Sequence, residues 1–160
     1  MSGQAHISVS ELTMAYGPLV IQRDLEFDVN RGDIFVIMGG SGCGKSTLLK
    51  HMLGLIEPAQ GEILYNGESF TRAKDAERAA MRRRWGITYQ SGGLFSAMTL
   101  EQNVTLPLQL YTDYSPDQVR DIVHYKLALV GLAGYQSYYP SEISGGMRKR
   151  AALARAIALD

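Results

Sequence analysis

The chain contains 160 residues, and its composition is that of a globular protein, with 46% hydrophobic and 20% charged residues. Sixteen basic residues balance sixteen acidic ones, so the overall charge does not favour nucleic acid or an anionic membrane as a partner. The single cysteine, Cys43, excludes an intramolecular disulfide and a metal cluster built from thiolates. Because the first residues show no signal-peptide pattern and the longest apolar run, 34–38, is too short to span a bilayer, we expect a soluble cytoplasmic protein.

Several segments have the apolar patterns of β-strands. Apolar and polar residues alternate over 7–9 and 25–29, which is typical of half-buried strands. Residues 34–38 are apolar at every position, which indicates a strand buried on both faces of a parallel sheet. The dipeptide at 66–67, Asn-Gly, favours a hairpin turn. The predicted strands cover residues 7–9, 25–29, 34–38, 62–65 and 86–90.

Helices are predicted between and after these strands. One begins at Lys45 and ends at Gly54, and another covers the polar, helix-favouring residues 73–84. Two more begin with the spacing of capping boxes, Thr99 with Gln102 and Ser115 with Gln118. The second of these helices ends at Gly131, and its apolar face consists of Val119, Ile122, Val123, Leu127 and Val130. A last helix covers 147–159, and the alternation of strands and helices predicts an α/β fold with a parallel core sheet.

A glycine-rich loop joins the apolar segment 34–38 to the first predicted helix. It has the pattern glycine, four residues, glycine, lysine, serine, in which glycines let backbone N–H groups turn inward around phosphate oxygens. The helix directs its positive end at the same phosphates, Lys45 can reach the β- and γ-phosphates, and the Ser46 hydroxyl can bind Mg²⁺. Since a chance match would not lie between an apolar strand and a helix, the loop predicts a site for ATP or a close relative. Its residues are Gly39, Gly40, Ser41, Gly42, Cys43, Gly44, Lys45, Ser46 and Thr47.

Cys43 lies inside this loop. We interpret it as a small residue that fits the loop rather than as a redox centre; a reactive thiol near the helix N-terminus is the alternative.

A second constellation, residues 143–147 (Ile-Ser-Gly-Gly-Met), opens the last predicted helix. Alone it would be an ordinary helix N-cap. With a phosphate loop about a hundred residues upstream, it resembles the signature motif of ABC-transporter ATPases, usually written Leu-Ser-Gly-Gly-Gln. The resemblance implies a P-loop NTPase fold: a RecA-like parallel core sheet, an antiparallel N-terminal strand layer, and a helical insertion around residues 96–143. It also implies that residues 1–160 form the N-terminal portion of one ATP-binding domain.

The resemblance implies roles for further residues. Tyr16 falls where the family places an aromatic ring that stacks on adenine; otherwise it is a packing residue. Gln90 falls at the family's Q-loop, where the amide contacts Mg²⁺ and senses the γ-phosphate; otherwise it is a solvated residue. Lys45 and Gln90 are therefore the predicted catalytic residues, and Ser46 and Gln90 the predicted metal ligands.

A closer resemblance is to the Mla/Mce-type lipid-transport ATPases. It rests on the phosphate loop, on residues 90–95 (Gln-Ser-Gly-Gly-Leu-Phe), on Thr99 and the pair 103–104, and on Met147 in place of the usual glutamine. It implies that ATP binding and hydrolysis drive the transport of phospholipid or another hydrophobic lipid.

The resemblance also implies partners. Two ATPase subunits would form a head-to-tail homodimer, in which Ser144, Gly145 and Gly146 cap the γ-phosphate held by the other copy. The subunits would lie on the inner face of the cell membrane, bound to an integral-membrane permease, with an MCE lipid-binding subunit as a further component. The surface 90–108 would contact the permease, although its apolar residues (Leu94, Phe95 and Met98) fit core packing equally well. We expect no nucleic-acid partner, since Arg82, Arg83, Arg84 and the basic residues after Gly146 fit a solvated helix face better.

The family's Asp-Glu pair, whose glutamate polarises the attacking water, and its switch histidine are not found within residues 1–160. We therefore expect ATPase activity in the complete protein but not in this chain. Two alternatives remain open: a soluble ABC-type ATPase that acts on DNA or ribosomes, and a nucleotide-binding piece without turnover.

Overall fold

The computed structural model describes residues 5–90 and 92–160. The chain divides into two compact units, Met1–Arg82 and Arg83–Asp160. The first contains an antiparallel sheet and two helices, and the second is helical. Among the described residues, no helix combines the length and the apolar character needed to cross a bilayer.

The sheet of the first unit has four strands in the order β2-β1-β3-β4. They are β1 (Ile7–Tyr16), β2 (Leu19–Val29), β3 (Gln60–Tyr65) and β4 (Glu68–Ser69), and every neighbouring pair is antiparallel. Asn66 and Gly67 connect β3 to β4 with φ angles of 51° and 79°, the left-handed pair that a type I′ hairpin turn requires. The predicted N-terminal strand layer and the predicted hairpin are thus confirmed.

Two helices accompany this sheet, α1 (Lys45–Met52) and α2 (Asp75–Arg82). As predicted, α1 begins at the lysine of the glycine-rich loop, and Gly54 follows its end in a left-handed conformation. The guanidinium of Arg78 anchors α2, because it donates to the Phe70 carbonyl and pairs with Glu57. The hydrogen bond to the Glu57 carboxylate raises the pKa of Arg78.

Two predicted strands do not form. Residues 34–38 have no regular structure and are exposed, with Ile34 95% accessible. Residues 86–90 have no strand structure either. A strand is stabilised by hydrogen bonds to neighbouring strands, and no strand among the described residues pairs with these two segments. The prediction of a buried strand at 34–38 is therefore wrong for this chain, and the sheet that does form is antiparallel.

The second unit consists of three helices, α3 (Leu100–Tyr111), α4 (Pro116–Leu129) and α5 (Gly145–Ala156), with a 3-10 turn at Pro140–Glu142. Both predicted capping boxes are present at the starts of α3 and α4. The Thr99 hydroxyl accepts the Gln102 N–H at 3.2 Å, and the Gln102 side chain accepts the Thr99 N–H at 2.8 Å.

One hydrophobic core joins the three helices. The predicted face of α4 is confirmed: Val119, Val123 and Leu127 are buried, while Ile122 and Val130 are partly buried against them. Each fully buried leucine stabilises the unit by about 1.5–3 kcal/mol relative to exposure. The other buried members are Leu100, Val104, Leu108, Leu132, Ile143, Ala151, Ala154 and Ala158.

Candidate functional site

The glycine-rich loop is shaped by backbone conformations that favour glycine. Gly42 and Gly44 have φ angles of 80° and 100°. A Cβ atom on Gly44 would also lie 2.9 Å from Cγ2 of Ile21 and 3.3 Å from Cε of Met14. Gly44 therefore brings the start of α1 close against side chains of β1 and β2, which ties the loop to the sheet.

The Lys45 side chain folds back over this loop. Its ammonium donates to the carbonyl oxygens of Gly39 and Gly40, both at 2.7 Å, and lies 3.5 Å from Sγ of Cys43. No side chain among the described residues caps the N-terminus of α1, so its first N–H groups remain open to an anion. A cation, a helix N-terminus and a glycine-rich backbone thus converge on one loop, as binding of a phosphate chain requires.

The residues around Ser46 fit a magnesium ion that is bound mainly through phosphate. The Ser46 side chain is exposed beside Lys45. No group of three or more His, Cys, Asp or Glu side chains that could hold a metal occurs within 5–90 and 92–160. Mg²⁺ is commonly bound by one or two protein oxygens together with substrate phosphates, which matches a site built on a hydroxyl.

Tyr16, the predicted adenine platform, is the last residue of β1. It is 43% exposed, whereas Met14, two positions earlier on the same strand, is buried beside Gly44. Its ring is accessible enough to stack on a planar ligand.

The predicted signature residues form the start of α5. Ser144 is the N-cap of this helix, and its hydroxyl accepts the Met147 N–H at 3.2 Å. Gly145 and Gly146 follow in the first turn and are exposed. The helix therefore presents a second N-terminus whose first residues carry no side chains.

Gln90 is exposed and precedes Ser91, which lies outside the described residues. After it, Gly92 packs directly on α5: a Cβ there would lie 3.4 Å from the Arg148 carbonyl oxygen and 3.7 Å from Cβ of Ala152. The segment that follows Gln90 and the helix that carries the signature residues thus belong to one packed unit.

A sequence profile described as "ABC transporter" matches residues 22–160, most of the chain. The chain belongs to the ABC transporter ATP-binding family. Curated relatives include the "Intermembrane phospholipid transport system ATP-binding protein MlaF" of Haemophilus influenzae, 46% identical over 96% of this chain and 58% of its own length. The "Probable ribonucleotide transport ATP-binding protein mkl" of Mycobacterium leprae is 43% identical over 96% of this chain and 44% of its own length. The chain thus spans about half the length of the curated relatives it matches.

Solved structures of ABC cassettes have the same fold. The ATP-binding cassette MJ0796, solved as a dimer in a post-hydrolysis state with ADP and Pi, matches with a TM-score of 0.86 and 28% identity. The match covers 95% of this chain and 69% of that one. The cbiO1 protein of Clostridium perfringens, part of the cbiONQ transporter, matches with a TM-score of 0.86 and 25% identity, over 98% of this chain and 62% of its own. The predicted α/β P-loop fold class is confirmed, and the described residues form part of it.

Asn103 is a structural residue of this ABC cassette that sequence reasoning assigned no role. Its buried side chain amide donates to the carbonyl oxygens of Phe95, Met98 and Thr99, and its oxygen accepts the Phe95 N–H at 2.8 Å. It therefore fixes the loop before α3. Its sequence signals are its place in the pair 103–104 of the family resemblance and its polar character at a position where the helix is otherwise apolar.

The three apolar residues considered for permease contact differ in exposure. Phe95 is 51% exposed, Met98 is half-buried, and Leu94 packs against the core of the second unit. The loop that Asn103 fixes therefore presents Phe95 to solvent and turns Leu94 inward.

The sequence predicted a solvated helix face for the basic residues after Gly146, but several of these side chains contact other parts of their own unit. Arg148 and Arg155 are half-buried, and Arg155 lies over the Phe95 ring with 5.6 Å between its guanidinium carbon and the ring centroid. Burial lowers the pKa of Arg155. Arg150 donates to the carbonyl oxygens of Val130 and Gly131, which follow α4. These side chains hold the backbone and a ring of their own unit.

Proposed function

We propose that this chain is the ATP-binding part of an ABC transporter subunit, which couples ATP binding and hydrolysis to the transport of phospholipid or another hydrophobic lipid. The observation that carries the proposal is the Lys45 ammonium, held 2.7 Å from two carbonyl oxygens of the glycine-rich loop beside an uncapped helix N-terminus. The MlaF relatives, by name components of a phospholipid transport system, support the lipid cargo.

Within the loop, residues 39–47 surround the phosphates with backbone N–H groups. Lys45 exchanges its two carbonyl acceptors for oxygens of the β- and γ-phosphates, a charge-assisted interaction stronger than the one it replaces. The Ser46 hydroxyl would hold Mg²⁺ together with phosphate oxygens; the Gln90 amide would be a further ligand and would sense the γ-phosphate. When bound, the metal neutralises charge on the phosphates.

The remaining contacts come from the adenine side and from a second copy. The exposed ring of Tyr16 stacks on adenine. In a head-to-tail homodimer, Ser144, Gly145 and Gly146 of one copy donate to the γ-phosphate held by the other. The dimeric MJ0796 structures, which share this fold, support that assembly.

The partners in the membrane are a permease and an MCE lipid-binding subunit. The Phe95 ring is exposed and covered on one face by Arg155, and Asn103 fixes the Phe95 backbone; these contacts support 90–108 as the surface that contacts the permease. The ATPase subunits lie on the inner membrane face, and no nucleic acid takes part.

ATP hydrolysis is proposed for the complete protein, of which this chain covers the phosphate loop and the signature residues. A transport ATPase remains the better proposal than a soluble ABC-type ATPase, because the relatives above are named as transport proteins.

Ribonucleotides are a second candidate cargo, because the mkl relatives, named for ribonucleotide transport, are nearly as similar as MlaF. The test reconstitutes the full-length protein with its co-purifying permease in proteoliposomes. Transfer of a fluorescent phospholipid that requires hydrolysable ATP supports the lipid cargo. ATP-dependent uptake of a labelled ribonucleotide without lipid transfer would overturn it, and absence of any membrane partner would overturn transport itself.

A further inference from the structure

We infer that Arg148 is a positioning residue for the signature segment: its guanidinium fixes the backbone before Ser144 so that the N–H groups of Gly145 and Gly146 face outward. The inference rests on the proposed function, in which those groups contact the γ-phosphate held by a second copy.

The Arg148 guanidinium bonds to two carbonyl groups, one in the 3-10 turn before α5 and one directly after that turn. Its Nη1 donates to the Ile143 carbonyl oxygen at 3.0 Å and to the Pro140 carbonyl oxygen at 3.4 Å. Its backbone N–H donates to the Ser144 carbonyl oxygen at 2.9 Å. One residue of α5 therefore bonds to the first residue of the 3-10 turn and to the two residues that follow the turn, which closes the turn onto the helix.

Contacts that do not involve Arg148 also hold the turn at its start and at its end. The Glu142 carboxylate accepts the Tyr139 N–H at 2.7 Å, and the Ile143 side chain is only 6% exposed within the helical core. Since the core fixes its side chain and Arg148 its carbonyl, the peptide that leads into Ser144 has one orientation. That orientation determines where the next two N–H groups point.

Arg148 also improves the electrostatics of the segment. Carbonyl oxygens directed at an anion would repel it, whereas here the guanidinium donates hydrogen bonds to the carbonyl oxygens of Pro140 and Ile143. The cation lies close to the signature backbone, because a Cβ on Gly145 would be 3.6 Å from Nη2 of Arg148. A fixed positive charge thus stands beside the N–H groups that face the phosphate.

The neighbouring Lys149 offers a matched control. It carries the same charge one residue further along α5 but is exposed. Arg150, by contrast, bonds to the end of α4 and would not isolate the effect.

The experiment compares full-length protein carrying Arg148→Met, Arg148→Gln, Arg148→Lys or Lys149→Met. ATPase kinetics, binding of a fluorescent ATP analogue, and ATP-driven self-association by light scattering are measured at least 15 °C below each melting midpoint. We expect Arg148→Met to lower kcat about tenfold and to weaken association by a similar factor, with analogue affinity within about twofold of wild type. Arg148→Lys should recover part of the loss, Arg148→Gln less, and Lys149→Met should match wild type.

Hydrogen exchange supplies a readout that does not depend on turnover. In Arg148→Gln, the amides of 144–147 should exchange faster while those of 119–127 are unchanged. If ATP drives self-association of wild type, and if Arg148→Met and Arg148→Gln leave both self-association and hydrogen exchange unaltered, the role of Arg148 is overturned. The proposed function then remains intact. If wild type neither self-associates when ATP is added nor hydrolyses ATP, the proposed function fails and the inference fails with it. A loss confined to melting temperature would assign Arg148 a purely structural role and overturn the inference.

Discussion

Under the proposed function, each of the two units presents backbone N–H groups to an anion, and the two units support those groups in different ways. In the first unit, the chain enters the glycine-rich loop from residues 34–38, which are exposed and without regular structure. In the second, the chain enters the signature segment from a turn that is held by Arg148 and by the buried Ile143. The difference follows from hydrogen bonding. A helix satisfies its backbone internally, whereas a strand needs neighbours to do so.

The largest expected effect compares two apolar truncations. Leu127→Ala removes a fully buried side chain from the helical core and should lower the free energy of unfolding of residues 1–160 by about 2–5 kcal/mol. Ile37→Ala, at a 42% exposed position, should change it by less than about 0.5 kcal/mol. Urea titration followed by circular dichroism measures both. Equal losses of unfolding free energy in the two variants would mean that 34–38 is packed like a core strand. The contrast between the two units would then be wrong.

The next effect concerns ligand binding rather than stability. Lys45→Ala removes the cation that lies over the loop carbonyls and should weaken ATP binding by about 1.5–3 kcal/mol, or about 10- to 150-fold. Lys50→Ala is the matched control, since Lys50 is an exposed lysine on the same helix. Titration with a fluorescent ATP analogue distinguishes them. Equal ATP affinities in the two variants would show that Lys45 is not part of the ATP site.

The smallest expected effect distinguishes binding of the adenine ring from binding of the phosphates. Tyr16→Ala should weaken ATP by about 0.5–1.5 kcal/mol, because only a stacking contact is lost, and should leave tripolyphosphate binding unchanged. Competition titrations with both ligands give the ratio of affinities. A ratio identical to that of wild type would make Tyr16 a packing residue.

The features that the sequence predicted well depend on local interactions. The capping boxes at Thr99 and Ser115 and the turn at 66–67 need only residues a few positions apart, and all three form. The glycine-rich loop likewise lies directly before α1, as its spacing requires.

The features that it predicted poorly depend on distant partners. The apolar run 34–38 carries a strong strand pattern, but no pattern within it can state whether neighbouring strands are present. Lysine is a residue type that is rarely buried, yet Lys126 is buried and donates to the Asp160 carbonyl oxygen at 3.2 Å. Arg148 was grouped with exposed basic residues because its two carbonyl partners become visible only when the turn folds onto α5.

The central claim, that residues 39–47 surround the phosphates of ATP, can be tested directly at Cys43. Cys43 is the only cysteine of the chain, is exposed, and lies 3.5 Å from the Lys45 ammonium, so a thiol reagent reports on this loop alone. The measurement is the rate of modification of Cys43, followed by mass spectrometry, in the presence of Mg-ATP, Mg-ADP or adenosine. We predict that Mg-ATP slows the modification strongly and that adenosine, which has no phosphates, does not. Equal rates with and without Mg-ATP at saturating concentration would place the phosphates away from this loop and contradict the account.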